Sequence, residues 1–404
     1  MALPLCTYSI RRSQRLLSKL SRTTHNWCSC HIWNACSLQD VVRLDVVWDV
    51  YKEDSLKAQT RQNRGSGNNL RVANNTNMPI NWKNFLRCDS NKESLFKLLA
   101  SAIQEFQPPE RKLVISTHGE KVVSSPISNL SDLSCTHEEA DTRLLFHAFN
   151  SFNHGFTKLM IHATDTDVVV IAIAVASVLK ECEIWVAFGH GSKVRYIPCH
   201  LISAELGDDA SWGLLFMHAI SGCDTVSAFF EIGKKTAWAV WQSMPQLTPT
   251  FVSLSRAPAQ ISQDDMDQIE RYVVLLYRRT SALCHVNEAR KQLFTNNRKM
   301  ENIPPTLHAL EQHVKRAVYQ AGHIWGQSLV GKPNVPSPDI WGWERVKDDS
   351  PWTPCWSTLP EAAKGCQELL KCGCKKECTK RCTCVKANLP CTQLCFCSGQ
   401  CNRE

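Results

Sequence analysis

The sequence lacks the features that mark a membrane or a secreted protein. Its longest apolar run, from Val168 to Leu179, is interrupted by Ser177 and is too short to span a bilayer. The N-terminus has no clear apolar core followed by a small-residue cleavage site, so a secretory signal peptide is not expected. No internal repeat is visible either. The sequence therefore predicts a chain that folds without a lipid environment and without secretion.

Acidic residues are missing from the first 39 positions, where five Lys or Arg residues occur. That pattern is typical of a mitochondrial presequence. It also fits a basic, poorly ordered tail (residues 1–39) or an imperfect gene model. The net charge of the whole chain is +8, which permits nucleic-acid binding without establishing it.

Cysteine is abundant, with 21 residues in the chain, nine of them between Cys372 and Cys401. A disulfide-rich secreted protein would need the signal peptide that is not visible here. We therefore interpret the cysteine-dense end as a metal-binding segment in a reducing compartment.

Short strands alternate with helical patterns over the first half of the chain. "RLDVVWDVY" (43–51) and "KLVIST" (112–117) are typical of strands, and "NKESLFKLLASAIQEF" (91–106) has helical apolar spacing. This alternation predicts an α/β fold with a mostly parallel central sheet. The predicted organisation is a domain at 40–240, a helical extension at 241–330, a Pro/Trp-rich linker at 331–365 and a small zinc-bound C-terminal module at 366–404.

Carboxylates occur where such a sheet places its ligand sites, beyond the carboxyl ends of strands and at helix starts. Clustered carboxylates repel one another, so a cation is expected where they gather, and hard oxygen ligands suit Mg²⁺ or Mn²⁺. Two such ions about 4 Å apart can activate a water and stabilise a leaving oxygen in phosphodiester hydrolysis. The candidate ligands are Asp49, Glu139, Asp141, Asp165, Asp167 and Asp224.

Each of these motifs also has a simpler interpretation. Thr136 and Glu139 fit a capping box, and acids at a helix start suit the helix dipole. Asp165 and Asp167 fit a turn. Histidines near the motifs, including His218, are expected to support the site rather than to bind the metal.

Three motifs, "HEEADTR", "ATDTDVVV" and "ISGCDTVSAFFEIGKKTA", resemble in their order and approximate spacing the flap-endonuclease branch of PIN-like nucleases. "VVWDVYKEDSLK" is similar to that family's strand that ends in a metal-site Asp. The resemblance covers residues 40–240 and implies that all six carboxylates hold catalytic ions. It also implies a turn that binds a DNA backbone, with Gly233, Lys234, Lys235 and Thr236, although the same residues fit an ordinary solvated turn. Lys57, with the basic residues after it, is a further candidate contact to a nucleic-acid backbone.

One element of the family pattern is missing. The family has a further Asp on a first strand upstream of the Asp49 strand, and no segment before Asp40 is predicted to form such a strand. Asp45 is too close to Asp49 to be that residue. Two functions follow as alternatives: a metal-dependent nuclease, or a catalytically inactive nucleic-acid-binding scaffold derived from a mobile element.

The cysteines of "CGCKKECTKRCTCVKANLPCTQLCFCSGQCN" carry the strongest motif of the chain. Zinc prefers four thiolates, so nine cysteines can hold three ions if three sulfurs each bridge two metals. The pattern resembles one repeat of the tesmin-type CXC domain of chromatin proteins, which implies DNA as the main partner, RNA as a possible one, and a nuclear location. The resemblance places Arg381 at a position that contacts the minor groove. The predicted zinc ligands are Cys372, Cys374, Cys378, Cys382, Cys384, Cys391, Cys395, Cys397 and Cys401.

Overall fold

The chain divides into two units, Met1–Trp356 and Ser357–Glu404. The computed structural model describes residues 5–9, 41–52, 54–57, 69–70, 72–73, 79, 81–108, 112–189, 191–295, 300–345, 347, 350–357, 372–374, 378–386, 391 and 395–397. Among the helices described, none is both long and apolar enough to cross a membrane.

A seven-stranded sheet forms the centre of the first unit, in the order β4-β3-β2-β1-β5-β6-β7. The five inner strands are parallel, and β4 and β7 pair antiparallel at the two edges. The α/β class predicted from the sequence is confirmed, with a sheet that is mixed at its edges. The strands are β1 (Leu5–Ser9), β2 (Arg43–Val47), β3 (Leu113–His118), β4 (Lys121–Ser125), β5 (Lys158–Ala163), β6 (Glu183–Phe188) and β7 (Arg195–Pro198).

Strand β1 corrects the expectation that no strand precedes Asp40. It lies between β2 and β5 and is parallel to both. Its sequence, LCTYS, has no alternating polar pattern and contains no carboxylate. The rest of the predicted N-terminal segment falls outside the described residues. The sheet therefore has an upstream strand, but that strand does not supply an additional Asp.

Among the described residues, helices follow β2, β4 and β5 and continue as the C-terminal half of the first unit. The predicted helix at 91–106 is present as α2, and the acidic stretch at 138–141 begins α3. The helices are α1 (Trp82–Phe85), α2 (Asp89–Glu105), α3 (Ala140–Asn153), α4 (Thr166–Ala176), α5 (Cys199–Leu206), α6 (Asp208–Ile220), α7 (Lys234–Gln242), α8 (Thr248–Leu254), α9 (Gln263–Tyr277), α10 (Val286–Thr295) and α11 (Leu307–Val318), followed by a π-helix (Tyr319–Trp325).

One hydrophobic core joins the sheet to the helices that follow it. Ile161 of β5, Leu215 of α6, Trp325 of the π-helix and Trp341 belong to the same buried cluster. Trp341 of this core belongs to residues 331–365, the predicted linker. Within them, two short strands pair as a hairpin, β8 (Trp343–Glu344) and β9 (Thr353–Pro354).

A buried ion pair ties β2 to α3 below the carboxyl edge of the sheet. Arg43 donates two 2.8 Å hydrogen bonds to Asp45 and one of 2.9 Å to Asn150. His147 Nδ1 lies 2.7 Å from Asp45 Oδ2. Burial raises the pKa of Asp45, but the charge and hydrogen bonds of Arg43, with those of His147, lower it to about 2. Asp45 is thus committed to the core.

Candidate metal centres

The carboxyl end of β5 leads directly into the first acidic motif. Asp165 is the N-cap residue of α4, and its Oδ1 accepts a 3.1 Å hydrogen bond from the backbone N–H of Asp167. Asp167 lies in the first turn of α4, where a negative charge suits the helix dipole. Asp165 therefore caps α4, and this does not exclude a ligand role because a carboxylate has a second oxygen.

The second motif starts α3 with a cap that the sequence did not predict. Glu139 occupies the N-cap position but makes no side-chain capping bond. Instead, Asp49 Oδ1, just beyond β2, accepts a 2.9 Å hydrogen bond from the backbone N–H of Ala140. The backbone N–H of Thr136 donates to the carbonyl of Gly331. The predicted capping box is therefore wrong, and Asp49 fixes the start of α3 from another segment.

Asp141, Asp165 and Asp167 form a carboxylate triad, in which one oxygen of each lies within 4.8 Å of the others. Asp141 is 1% exposed and Asp167 7% exposed. An octahedral Mg²⁺ with ligands at about 2.1 Å places its oxygens roughly 3.0 to 4.2 Å apart. The upper limit of the triad is only about 0.6 Å beyond that range, within reach of a rotamer adjustment. The triad can therefore hold a divalent ion.

His218 supports the triad from α6. Its Nε2 lies 2.9 Å from Asp167 Oδ1, and both side chains are buried. Burial raises the pKa of Asp167, but the hydrogen bond and charge of His218, with the charges of Lys57 and Lys234, lower it below its ordinary value. This arrangement keeps the carboxylate ionised and oriented, as partners of metal ligands commonly do.

Glu139 and Asp224 do not belong to the triad, and both pair with the same lysine. The Nζ of Lys57 lies 2.9 Å from Glu139 Oε1 and 3.8 Å from Asp224 Oδ2. The other oxygen of Glu139, Oε2, is buried and has no hydrogen-bond partner among the described residues. The sequence indicated Lys57 only as a possible contact to a nucleic-acid backbone.

The loop that carries Asp224 is fixed by the helices of residues 241–330. Thr225 Oγ1 donates a 2.8 Å hydrogen bond to Gln320 Oε1 of the π-helix. His313 Nε2 donates to the carbonyl of Ile220 at 2.8 Å. No sequence signal pointed to Gln320 or His313, because they lie about 90 residues from the loop that they support.

The turn predicted to bind a DNA backbone precedes α7. Gly233 is exposed at the N-cap position, and Lys235 is exposed one position beyond Lys234. Lys234 turns inward, and its Nζ donates to the carbonyls of His218 at 2.8 Å and Gly222 at 2.6 Å. Burial lowers the pKa of Lys234. Lys234 therefore stabilises the protein's own loop, which leaves Gly233, Lys235 and the half-buried Thr236 at the surface.

The second unit contains a cluster of sulfurs with the spacing of a zinc tetrahedron. Cys372 Sγ lies 3.7 Å from Cys378, 3.9 Å from Cys391 and 3.8 Å from Cys397. Cys378 lies 3.6 Å from Cys391 and 3.8 Å from Cys397. A tetrahedral zinc with Zn–S distances of about 2.3 Å needs sulfurs about 3.8 Å apart. The five sulfur–sulfur distances thus match the spacing of zinc thiolates.

Other cysteines of the second unit extend this cluster. Cys384 and Cys395 are 3.6 Å apart. Two four-cysteine groups can each hold a metal, and they share Cys372 and Cys391. The first group adds Cys378 and Cys382, and the second adds Cys395 and Cys397. A thiolate that bridges two metal ions must belong to both groups, as Cys372 and Cys391 do.

The surface of the second unit also carries the predicted minor-groove residue. Arg381 is exposed just before the short helix α12 (Thr383–Lys386). Phe396 is 69% exposed. Cysteines alone make up the buried cluster of this unit among its described residues. Cys374 packs against that cluster, and Cys401 lies outside the described residues.

Comparison with known protein families and with curated proteins finds no match for this chain. The carboxylate triad and the cysteine cluster can each bind metal.

Proposed function

We propose that the first unit is a PIN-like, flap-endonuclease-related domain that hydrolyses phosphodiester bonds in nucleic acid with a divalent ion. The observation that carries this proposal is the triad of Asp141, Asp165 and Asp167 beyond the carboxyl end of β5. The topological position supports it, since ligand sites of parallel sheets lie at that edge. A divalent ion there would polarise a phosphoryl oxygen.

The chain's own groups have distinct tasks in this proposal. Asp141, Asp165 and Asp167 hold Mg²⁺ or Mn²⁺, and His218 orients Asp167. Asp49 acts indirectly, because its carboxylate fixes the start of the helix that carries Asp141. Gly233, Lys235 and Thr236, at the exposed start of α7, are proposed to contact the nucleic-acid backbone, because helix N-termini bind phosphates.

We propose further that the second unit binds zinc and adds DNA affinity through Arg381. The sulfur spacings support zinc, and the exposure of Arg381 leaves it accessible to a partner. Arg side chains suit narrow minor grooves. With DNA as the main partner and RNA as a second one, the proposed location is the nucleus, with the mitochondrion as the alternative implied by the acid-free N-terminal segment.

A nuclease assay tests the proposal. Purified full chain is incubated with Mn²⁺ and single-stranded, flap and duplex substrates, in parallel with Asp165→Asn. The amide is a far weaker ligand than the carboxylate, so turnover should fall at least a hundredfold while DNA binding stays within twofold. Asp209→Asn, at an exposed position in α6, is the matched control and should remain active. Equal cleavage by Asp165→Asn would assign the activity to another site or to a contaminant.

A second candidate function is a catalytically inactive nucleic-acid-binding scaffold derived from a mobile element. The sequence of β1 favours it, because this strand contains no carboxylate where the resemblance requires one. The ion pairs that Lys57 makes with Glu139 and Asp224 also favour the inactive scaffold. Metal-independent DNA binding without cleavage of any of the three substrates would establish this second function.

A further inference from the structure

Lys57 places a positive charge among carboxylates that come from three different segments. Its ammonium contacts Glu139 at the start of α3 and Asp224 in the loop after α6, and its charge acts on Asp167. The side chain of Lys57 is only 13% exposed and that of Glu139 only 10%. The Lys57–Glu139 pair is therefore much less screened by salt than a surface pair, whereas the Asp224 side chain is 45% exposed.

We propose that Lys57 occupies the place of a second divalent ion, so that this centre takes one divalent ion at the triad and one ammonium group of the protein. The inference rests on the proposed metal site but not on hydrolysis. In two-ion phosphoryl-transfer sites, carboxylates bridge or flank both cations. Here two of the carboxylates outside the triad, Glu139 and Asp224, are joined by a lysine instead.

The position of Lys57 is set by its own segment. Its backbone N–H donates a 3.1 Å hydrogen bond to Ser55 Oγ, and Ser55 is only 5% exposed. Three residues before Lys57, Asp54 accepts a 3.1 Å hydrogen bond from the indole N–H of Trp352 and pairs with Arg345.

Arg345 and Trp352 belong to the turn of the β8–β9 hairpin and support each other. The guanidinium carbon of Arg345 lies 3.9 Å from the centre of the Trp352 ring, a cation–π contact. They hold Asp54, which limits how far the segment that carries Lys57 can withdraw. Arg345 and Trp352 are therefore positioning residues for the ammonium group.

The buried oxygen of Glu139 explains why replacement of the lysine would create a metal site. Glu139 Oε2 has no hydrogen-bond partner among the described residues, and Oε1 depends on Lys57. Without the ammonium, Glu139 and Asp224 would leave two negative charges uncompensated near the triad. A divalent cation is the direct remedy for such a charge cluster.

Manganese titration by calorimetry tests the inference on the zinc-loaded full chain. Zinc binds thiolates more tightly than manganese does, so the cysteine cluster stays occupied by zinc. The wild type should bind one Mn²⁺ at the carboxylate centre, and Lys57→Met should bind two. Electron paramagnetic resonance should detect coupling between two Mn²⁺ ions in Lys57→Met alone. Lys57→Arg keeps the charge and should still bind one ion.

Lys180→Met is the matched control, because Lys180 pairs with Asp208 at 2.7 Å on the exposed surface and follows the C-terminal end of α4, whereas Asp165 and Asp167 lie at its start. It should bind one ion, like the wild type. Arg345→Ala should bind a second Mn²⁺ with a Kd at least tenfold higher than the Kd of the second Mn²⁺ in Lys57→Met. A thermal melt shows whether Lys57→Met is folded, and Mn²⁺ should raise its Tm more than that of the wild type.

Several results would overturn the inference. Two ions in the wild type would show that metal displaces Lys57, and one ion in a folded Lys57→Met would show that its place is not a cation site. Absence of Mn²⁺ binding to both proteins would refute the metal site itself. A wild type that binds one ion but cleaves no substrate would leave this inference standing and refute only the proposed hydrolysis.

Discussion

Removing zinc from the full chain should unfold the cysteine-rich second unit and leave the first unit folded. The segment from Cys372 to Cys401 has about 30 residues, and ordering them costs roughly 45 kcal/mol at about 1.5 kcal/mol each. Its largest apolar side chain, Phe396, is 69% exposed and contributes little burial. Structural zinc contributes about 10–16 kcal/mol per ion. Zinc binding is therefore of the scale needed to order the segment, and packing alone is not.

The assay combines metal analysis with hydrogen exchange on the full chain. Purified protein should contain close to three zinc ions, and a chelator should abolish amide protection in the second unit only. Cys372→Ser removes a sulfur shared by two metal groups and should lower the zinc content by more than one ion. Cys284→Ser, at an exposed position in the first unit, is the matched control and should keep all the zinc.

Two results would refute this reasoning. A zinc content near one or two would show that the thiolates do not bridge, and a simpler finger or cysteine pairing would replace the three-ion cluster. Protection that survives chelation would show that packing, rather than zinc, orders the segment.

Further predictions concern the fold and the DNA contact. Asp45→Asn should lower the free energy of unfolding by about 3–5 kcal/mol in denaturant titrations, because it leaves a buried guanidinium unpaired; a loss under 1 kcal/mol would contradict this. The pKa of Asp45 is about 2 in the folded protein, against an ordinary 3.8. The ionised Asp45 carboxylate therefore stabilises the fold, and this contribution is fully present above about pH 4. This contribution, roughly 2 kcal/mol, should disappear as the pH falls through 2. If the acid unfolding curves of the wild type and of Asp45→Asn coincide, the carboxylate makes no such contribution. Gly342→Ala should lower Tm by several degrees, since φ is +84° and a Cβ would meet the carbonyl oxygen of Gln312 at 2.7 Å; an unchanged Tm would mean that the loop relaxes. Arg381→Ala should weaken DNA binding most on AT-rich duplexes in fluorescence anisotropy, and affinities equal to those of the wild type on every duplex would make the zinc unit a purely structural clamp.

Local sequence patterns predicted the elements that depend on neighbouring residues. Helix α2 was predicted because its leucines recur with helical spacing, and Asp165 was placed after a strand because an apolar run ends there. The cysteine cluster was predicted for the same reason, since its ligands lie within about 30 residues and their spacing reflects the geometry of the metal. Such features need no knowledge of the rest of the fold.

Sequence patterns failed where a contact depends on a distant segment. Asp49 caps a helix 91 residues away, and Trp352 binds Asp54 across 298 residues. Strand β1 is short and has no polar alternation, and its place between β2 and β5 is decided by pairing with both neighbours.

The sequence by itself determined which residue types are available for metal binding and where along the strands and helices they occur. Only the tertiary structure decided which of them share a centre. It brought Asp141 to Asp165 and Asp167, and it joined Glu139 to Asp224 through the ammonium of Lys57. The physical reason is that the packing of the sheet and helices sets the distances between carboxylates on different segments, and charge compensation then determines which cation each carboxylate pairs with.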